Sequence, residues 1–261
     1  MNIKFSKYQG TGNDFIIINN LSNFFPKDDN KLISILCNRK FGIGADGLIL
    51  INKHSSLPFE MNYYNSDGFI GSMCGNGARC SVHFSFINKI IKSKTKFNAF
   101  DGIHSGIVDH DIIKISMSDV IGFEKYEDYL FIDTGSPHLV KIVQDVNSID
   151  LINVSQKIQQ SKRFKEGVNV NFISKNSDNS FETRTYERGV EDETLSCGTG
   201  AVAAAIALNI LSLEDSNEIN LKTKGGLLNI NFRKSNNEYT DIYLSGKVKK
   251  VFDGVIKVWK K

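Results

Sequence analysis

The sequence predicts an α+β protein of two pseudo-symmetric lobes, each a curved, mostly antiparallel or mixed β-sheet wrapped around a central helix. Three observations lead there. "MCGNGARC" at residues 73 to 80 is echoed by "SCGTGAVA" at 196 to 203, so that Cys197 follows Cys74 by 123 residues, close to half of the 261-residue chain. Helical patterns are few while short β-like runs are many. No regular alternation of strand and helix points to a doubly wound parallel sheet.

Asp28 to Lys40 reads as the first helix, with Asp at its start and Leu32, Ile35 and Leu36 at helical spacing. A second runs from about Gly75 to Lys92, with Ala78, Val82, Phe86, Ile87 and Ile90 as its apolar face, and a third from about Val146 to Gln160. The fourth, Gly198 to Leu213, is apolar almost all round and should be buried on every side. Between them lie the strand-like runs "FIIIN", "GLILI", "FEMNYYN", "IIKISM", "YLFIDTG", "NVNFIS", "FETRTYE", "LLNINF", "TDIYLS" and "VIKVW". Asp101-Gly102, Asn236-Asn237 and Asp253-Gly254 read as turns that separate many of these runs into hairpins. A charged strand and turn precedes each glycine-flanked cysteine and a helix follows it. The expected lobes are 1–119, joined by a returning strand at 250–261, and 120–249, with the boundary near Ser118 to Gly122.

Composition sets few limits. An apolar fraction of 41% and a charged fraction of 23% are those of an ordinary globular protein, and a net charge of +3 is too mild to argue for nucleic acid. No opening segment has the order of a signal peptide, and the longest apolar run, Ala201 to Leu208, falls far short of the roughly 20 residues of a membrane span. A cytoplasmic protein with no membrane partner is expected. Its four cysteines then read as thiols rather than a disulfide framework.

A single Cys-Gly-x-Gly is ordinarily packing, and Cys37 and Cys80, inside amphipathic helices, keep that reading. Cys74 and Cys197 differ because the same order of parts occurs twice. Glycines after each sulfur allow close backbone approach to a ligand and leave amide N–H groups at a helix start. Such an end attracts a carboxylate or phosphate and lowers a thiol pKa. The chain lacks the Cys-x-x-Cys of a disulfide oxidoreductase, the short ligand spacings of a zinc site and the single nucleophile of a cysteine hydrolase. Two opposed acid–base groups about one α-carbon fit racemisation, one removing a proton and the other returning one to the opposite face.

The chain resembles the diaminopimelate epimerase family nearly from end to end. The resemblance is carried by "KYQGTGNDFIIIN", "RKFGIGADGLIL", "YNSDGFIGSMCGNGARC", "GSPH", "GVNVNF", "TYERGVEDETLSCGTGAVA" and "SGKVKKVFDGVIKV". It implies interconversion of LL- and meso-diaminopimelate, without pyridoxal phosphate, metal or other cofactor, in lysine and peptidoglycan precursor synthesis. Cys74 and Cys197 are then the bases, and the amides of Gly75, Asn76, Gly198 and Thr199 hold the carboxylate at the reacting centre. Asn13, Asn65, Asn169 and Arg188 are expected to read the distal end, with Arg188 on its carboxylate. Glu187 and His138 are expected beside the thiols, helping to set their protonation and the position of the substrate ammonium. A strand at about Val251 to Trp259 returns to the first lobe, and a homodimer is implied.

Each of these residues also has a plainer reading. Asn13 after Gly-Thr-Gly caps turns well, His138 after Pro137 serves as a structural histidine, and Glu187 with Arg188 makes a solvated ion pair. Ser136 stands where many family members carry Asn, which implies a shorter or water-mediated contact to the distal end; Gly47 replaces a Gln of some members, a change taken as neutral. The rival function nearest to this one is a related cofactor-free racemase for another amino acid, of the proline or histidine type. The proline type shows His where this chain has Asn76. A non-catalytic amino-acid-binding protein needs neither thiol, and a thiol-redox protein fits least.

Overall fold

The computed structural model describes residues 1–258. The chain divides into two compact units, residues 1–115 with 246–261, and 116–245. The last three residues, including the Trp259 expected to end the returning strand, lie outside the described residues.

The first unit opens with strands β1 (Asn2–Gly10) and β2 (Asn13–Asn20), antiparallel about the two-residue turn Thr11-Gly12, where both φ angles are positive. Helix α1 (Asn30–Cys37) crosses over to β3 (Gly47–Asn52), parallel to β2, and β4 (Glu60–Asn65) returns antiparallel. Helix α2 (Gly75–Ile87) then leads to β5 (Lys94–Ala99), parallel to β4, and β6 (Gly102–Asp109) and β7 (Ile112–Ser116) complete an antiparallel meander. Strands β2 and β3 are apolar on both faces because each face has a helix. Ile16, Ile18, Leu48 and Leu50 share a core with Leu32, Ile33 and Leu36 of α1. On the other face, Phe15, Ile49 and Met61 approach Gly77 of α2 so closely that an added Cβ would lie 3.1 Å from Ile49.

The second unit repeats this plan. After the short β8 (Val120–Ile121) and β9 (Glu124–Tyr126), β10 (Tyr129–Asp133) pairs antiparallel with β11 (Pro137–Ile142), and α3 (Leu151–Gln159) crosses to β12 (Asn169–Lys175), parallel to β11. Strand β13 (Phe181–Glu187) returns antiparallel, followed by the short β14 (Asp192–Thr194). Helix α4 (Gly198–Ile210) precedes β15 (Glu218–Thr223), parallel to β13, with β16 (Gly226–Ser235) antiparallel to it. The sequence of antiparallel, parallel, antiparallel, parallel and antiparallel pairings is therefore the same in both units. The repeat read from the two cysteine motifs is a repeat of topology, and the α+β fold class holds.

All four expected helices form, with adjusted bounds. Asp29 caps α1, accepting from the Leu32 amide at 2.9 Å; Leu32, Ile33 and Leu36 face inward while the expected Ile35 is exposed. Helix α2 ends at Ile87, leaving Phe86 and Ile87 exposed and burying polar Arg79, Ser81 and Ser85 in their place. A separate 3-10 turn at Val146–Ser148 precedes α3, which Asp150 caps. Helix α4 is buried along nearly its whole length, as its all-apolar sequence requires.

One turn expectation fails. Asp253-Gly254 lies inside the long strand β17 (Glu238–Lys257), opposite Ser6 and Phe5 of β1. Asp253 accepts from Ser6 Oγ at 2.6 Å, and a Cβ on Gly254 would sit 2.4 Å from the Phe5 ring, so this glycine makes room for an aromatic neighbour across the ladder. Strands β1, β5, β6, β11 and β15 went unread in the sequence, although β15 alternates exposed and buried residues along its whole length.

Candidate active site

Each conspicuous cysteine is the N-cap of its unit's central helix. Cys74 has extended backbone and its Sγ accepts from the Gly77 amide at 3.4 Å; Cys197 does the same with the Gly200 amide, also at 3.4 Å. A sulfur here takes the place of the usual Ser or Asp oxygen. The amides of Gly75 and Asn76, and of Gly198 and Thr199, lead their helices, at positions where a helix offers no acceptor of its own. The positive end of the dipole thus surrounds each thiol, an environment that favours thiolate and suits an adjacent carboxylate. The plainer reading of Cys37 and Cys80 also holds. Both are buried free thiols, and burial pushes Cys37 up to about 12 and Cys80 higher still.

In the first unit, Asn13 starts β2, and its Nδ2 donates to Asp46 Oδ2 at 2.7 Å. That bond points Oδ1 at the Cys74 sulfur, 3.6 Å away, and at Asn76 Nδ2, 3.4 Å away. Asn13, which the family resemblance assigns to the distal end of a substrate, thus lies against the Cys74 sulfur. Asp46 and Asp14 are tied together by Arg39, at 2.6 Å to each. Burial works to raise the Asp14 pKa, but hydrogen bonds from Arg39 and Lys7 outweigh it and hold the carboxyl far below its ordinary range. Asn65 ends β4 and is exposed, its Oδ1 3.2 Å from where a Cβ on Gly71 would sit. It does not join the Asn13–Cys74–Asn76 contacts. The Gly47 departure has a visible counterpart, since any side chain there would collide with the Tyr63 ring at 2.4 Å.

Arg79 escaped sequence reading. Its guanidinium is fully buried beneath α2, with Nη2 donating to Asn76 Oδ1 at 2.9 Å and Thr11 Oγ1 at 3.0 Å, while Nε and Nη1 have no hydrogen-bond partner among the described residues. Burial lowers its pKa to about 10, against the pull of the thiols Cys80 and Cys74. A buried Arg inside a Gly-rich motif gives no periodic signal by which to find it.

In the second unit, His138 on β11 is wholly buried. Its Nε2 lies 3.0 Å from Thr199 Oγ1, which is 3.4 Å from Cys197 Sγ. His138 thus meets the Cys197 sulfur through Thr199. Burial, aided by the Arg188 charge, lowers its pKa to about 3, so the ring is neutral. Asn169 is buried on β12; its Nδ2 donates to Ser136 Oγ at 3.0 Å and Pro137 O at 3.1 Å, and its Oδ1 accepts from the Arg188 amide at 3.0 Å. The Ser136 departure therefore places a hydroxyl on Asn169. Glu187 ends β13, half-buried, and Arg188 follows it. The Arg188 guanidinium makes one backbone contact, to Glu166 O at 3.3 Å, and no ion pair among the described residues. It lines a cavity of about 560 Å3 with Gln159, Phe164, Glu166 and Gly167.

The neutral His138 has a consequence for stability. Unfolded, the ring titrates near 6.5; folded, near 3, so the folded chain binds fewer protons across that window. Stability is then full above pH 6.5 and falls on acidification, by about 1.4 kcal/mol per pH unit between the two values. Between pH 7 and 5 the loss should reach about 2 kcal/mol in urea unfolding, and His138→Gln should show correspondingly less. Equal slopes for the two proteins would mean that the ring is already solvated.

Two units of one topology, each with a thiol capping a buried helix, are the arrangement expected of an isomerase of the racemase and epimerase class. The fold is shared with a phenazine biosynthesis protein of the PhzF family from Bacillus anthracis (TM-score 0.78, 11% identity, covering 99% of this chain and 100% of that one). It is shared too with a hydroxyproline epimerase from Agrobacterium vitis (TM-score 0.71, 11% identity, 98% and 92% covered). The family model described as diaminopimelate epimerase matches residues 5–114 and 130–251. A diaminopimelate epimerase of Flavobacterium psychrophilum is 47% identical over 256 residues, covering 97% of this chain and all of that protein. One of Hydrogenobaculum sp. is 38% identical over 274 residues, covering 96% and 97%. The chain belongs to the diaminopimelate epimerase family.

Proposed function

We propose that this epimerase interconverts LL- and meso-diaminopimelate, with Cys74 and Cys197 as its two acid–base groups, in the supply of lysine and peptidoglycan precursors. The observation that carries the reading is the matched N-capping of two helices by cysteine. In each direction one sulfur, as thiolate, takes the α-proton, and the other, as thiol, gives its proton to the opposite face of the same carbon. The α-C–H bond is a very weak acid, so the developing negative charge needs fixed donors. The amides of Gly75, Asn76, Gly198 and Thr199 suit that task, being oriented by their helices before the substrate arrives. Arg188, which has no ion-pair partner among the described residues, suits a distal carboxylate, and Asn65 and Asn169 suit the polar groups beside it. Glu187 is the group proposed to place the α-ammonium.

A proline-type racemase is the second reading, since a hydroxyproline epimerase shares the fold. Asn76 in place of His, and a guanidinium that a monocarboxylic cyclic substrate leaves unused, favour diaminopimelate. The proposal includes a homodimer in the cytoplasm. The exposed apolar side chains Val251, Phe252 and Val255 of the last strand support pairing, and no described helix is long and apolar enough to cross a membrane.

Incubating the purified protein with a panel of amino acids in D2O and following α-deuterium uptake by NMR tests the function. Fast uptake into diaminopimelate alone is expected. Uptake into proline instead would select the second reading, and none into any amino acid would sink both.

A further inference from the structure

Asn171 is fully buried on β12 and belongs to none of the groups assigned above. Its amide orientation is settled by two neighbours: Oδ1 accepts from Thr185 Oγ1 at 2.8 Å, and Nδ2 points to the Leu139 carbonyl at 3.3 Å. Nδ2 also lies 2.9 Å from His138 Nδ1. A donor at Nδ1 means that Nδ1 carries no proton, so the neutral ring must carry it on Nε2. Nε2–H then donates to Thr199 Oγ1, and the Thr199 hydroxyl proton is left to turn toward the Cys197 sulfur. Asn169 Nδ2 also lies 3.5 Å from His138 Nε2, but its two amide hydrogens have shorter acceptors in Ser136 Oγ at 3.0 Å and Pro137 O at 3.1 Å, which leaves Nε2 to Thr199. Gly200 completes the arrangement: a Cβ there would lie 2.5 Å from Asn171 Oδ1 and 3.3 Å from Cys197 Sγ.

We infer that Asn171 is a positioning residue that holds His138 in its Nε2–H form, so that a polarised chain of hydrogen bonds, Thr185 to Asn171 to His138 to Thr199, ends as a donor on the Cys197 sulfur and favours its thiolate. The inference rests on the two-thiol reading and adds how hydrogen bonds from buried neutral groups activate one thiol. The charged group facing the ring is Arg188, which follows Glu187 on β13; the other partners, on β11, β12 and α4, are neutral. Arg188 repels a proton from the ring and so reinforces the neutral form that the chain requires.

Asn171→Asp tests this with a near-isosteric change of polarity. A carboxylate draws a proton onto Nδ1, frees Nε2 to accept from Thr199 and takes the hydroxyl away from sulfur. In the full-length protein, imidazole 15N spectra should show the Nε2–H form in wild type and the Nδ1–H form in the variant. Iodoacetamide rates followed by peptide mass spectrometry across pH should show the Cys197 midpoint raised, with about tenfold less thiolate at pH 7, as loss of one charged hydrogen bond implies. The Cys74 profile should stay in place. Thr199→Val should raise the Cys197 midpoint without changing the tautomer, and serves if Asn171→Asp does not fold. A wild-type Nδ1–H ring, a Cys197 profile unmoved by Thr199→Val, or equal shifts at both cysteines would overturn the inference. These readouts need no turnover, whereas absent α-deuterium uptake in wild type speaks against the functional reading alone.

Discussion

Cys74→Ala and Cys197→Ala should each abolish epimerisation while the protein stays folded. Each face of the α-carbon needs its own group, so one remaining thiol can move a proton off or on but cannot complete the inversion. Loss of positioned acid–base catalysis costs about 10²- to 10⁴-fold per group, and the full two-face reaction should fall at the upper end. The structural cost is small, because what the fold loses is one weak S···H–N cap at 3.4 Å. Capping losses are about 1 kcal/mol, and a sulfur acceptor is weaker than the oxygen behind that figure. Circular dichroism and urea midpoints therefore separate chemistry from folding. A variant that kept more than a tenth of wild-type turnover from both stereoisomers would rule out the two-base mechanism.

The second large effect is expected at Arg188. Among the described residues its guanidinium has a single contact, to a backbone carbonyl, and it borders an open cavity, which suits its remaining donors to a ligand. A carboxylate can take two parallel N–H···O bonds from it, a geometry Lys does not reproduce. Charged hydrogen bonds contribute about 1.5–3 kcal/mol each. Arg188→Met keeps the stem beside Gly167 and should lower kcat/KM for diaminopimelate by about 10²-fold or more. Because binding at the far end orients the α-carbon, kcat should fall as well as KM rise. The alkylation pH profile of Cys74, whose hydrogen bonds with Asn13 and the Gly77 amide are untouched by the substitution, should survive. Wild-type kcat/KM in Arg188→Met would make it a surface residue and reopen the choice of substrate.

Much of the site was legible because its signals are local. A cysteine before Gly-x-Gly and a helix-forming run implies an N-cap wherever it occurs, and two such stretches half a chain apart imply a repeat. Leu32 and Leu36 at helical spacing, and the all-apolar Ala201 to Leu208, likewise announce their burial without reference to the rest of the chain. Alternation failed where packing partners are remote. Ile35 and Phe86 fit helical faces on paper, yet they are exposed because no sheet lies over those sides of α1 and α2.

The sequence by itself determined that two thiols sit at the positive ends of two buried helices in an α+β repeat, since turn chemistry and helix capping act over a few residues. Only the tertiary structure decided what each sulfur touches. Asp253-Gly254 has the composition of a turn and became ladder because Ser6 and Phe5, nearly 250 positions earlier, supplied a hydroxyl and a ring. Asn13 was turned toward Cys74 by Asp46, and Asn171 became the orienting partner of His138 because β11 and β12 run parallel with Asn171 near that ring. A hydrogen bond's direction depends on which donor and acceptor meet in space, and neither spacing nor composition along one chain encodes that meeting.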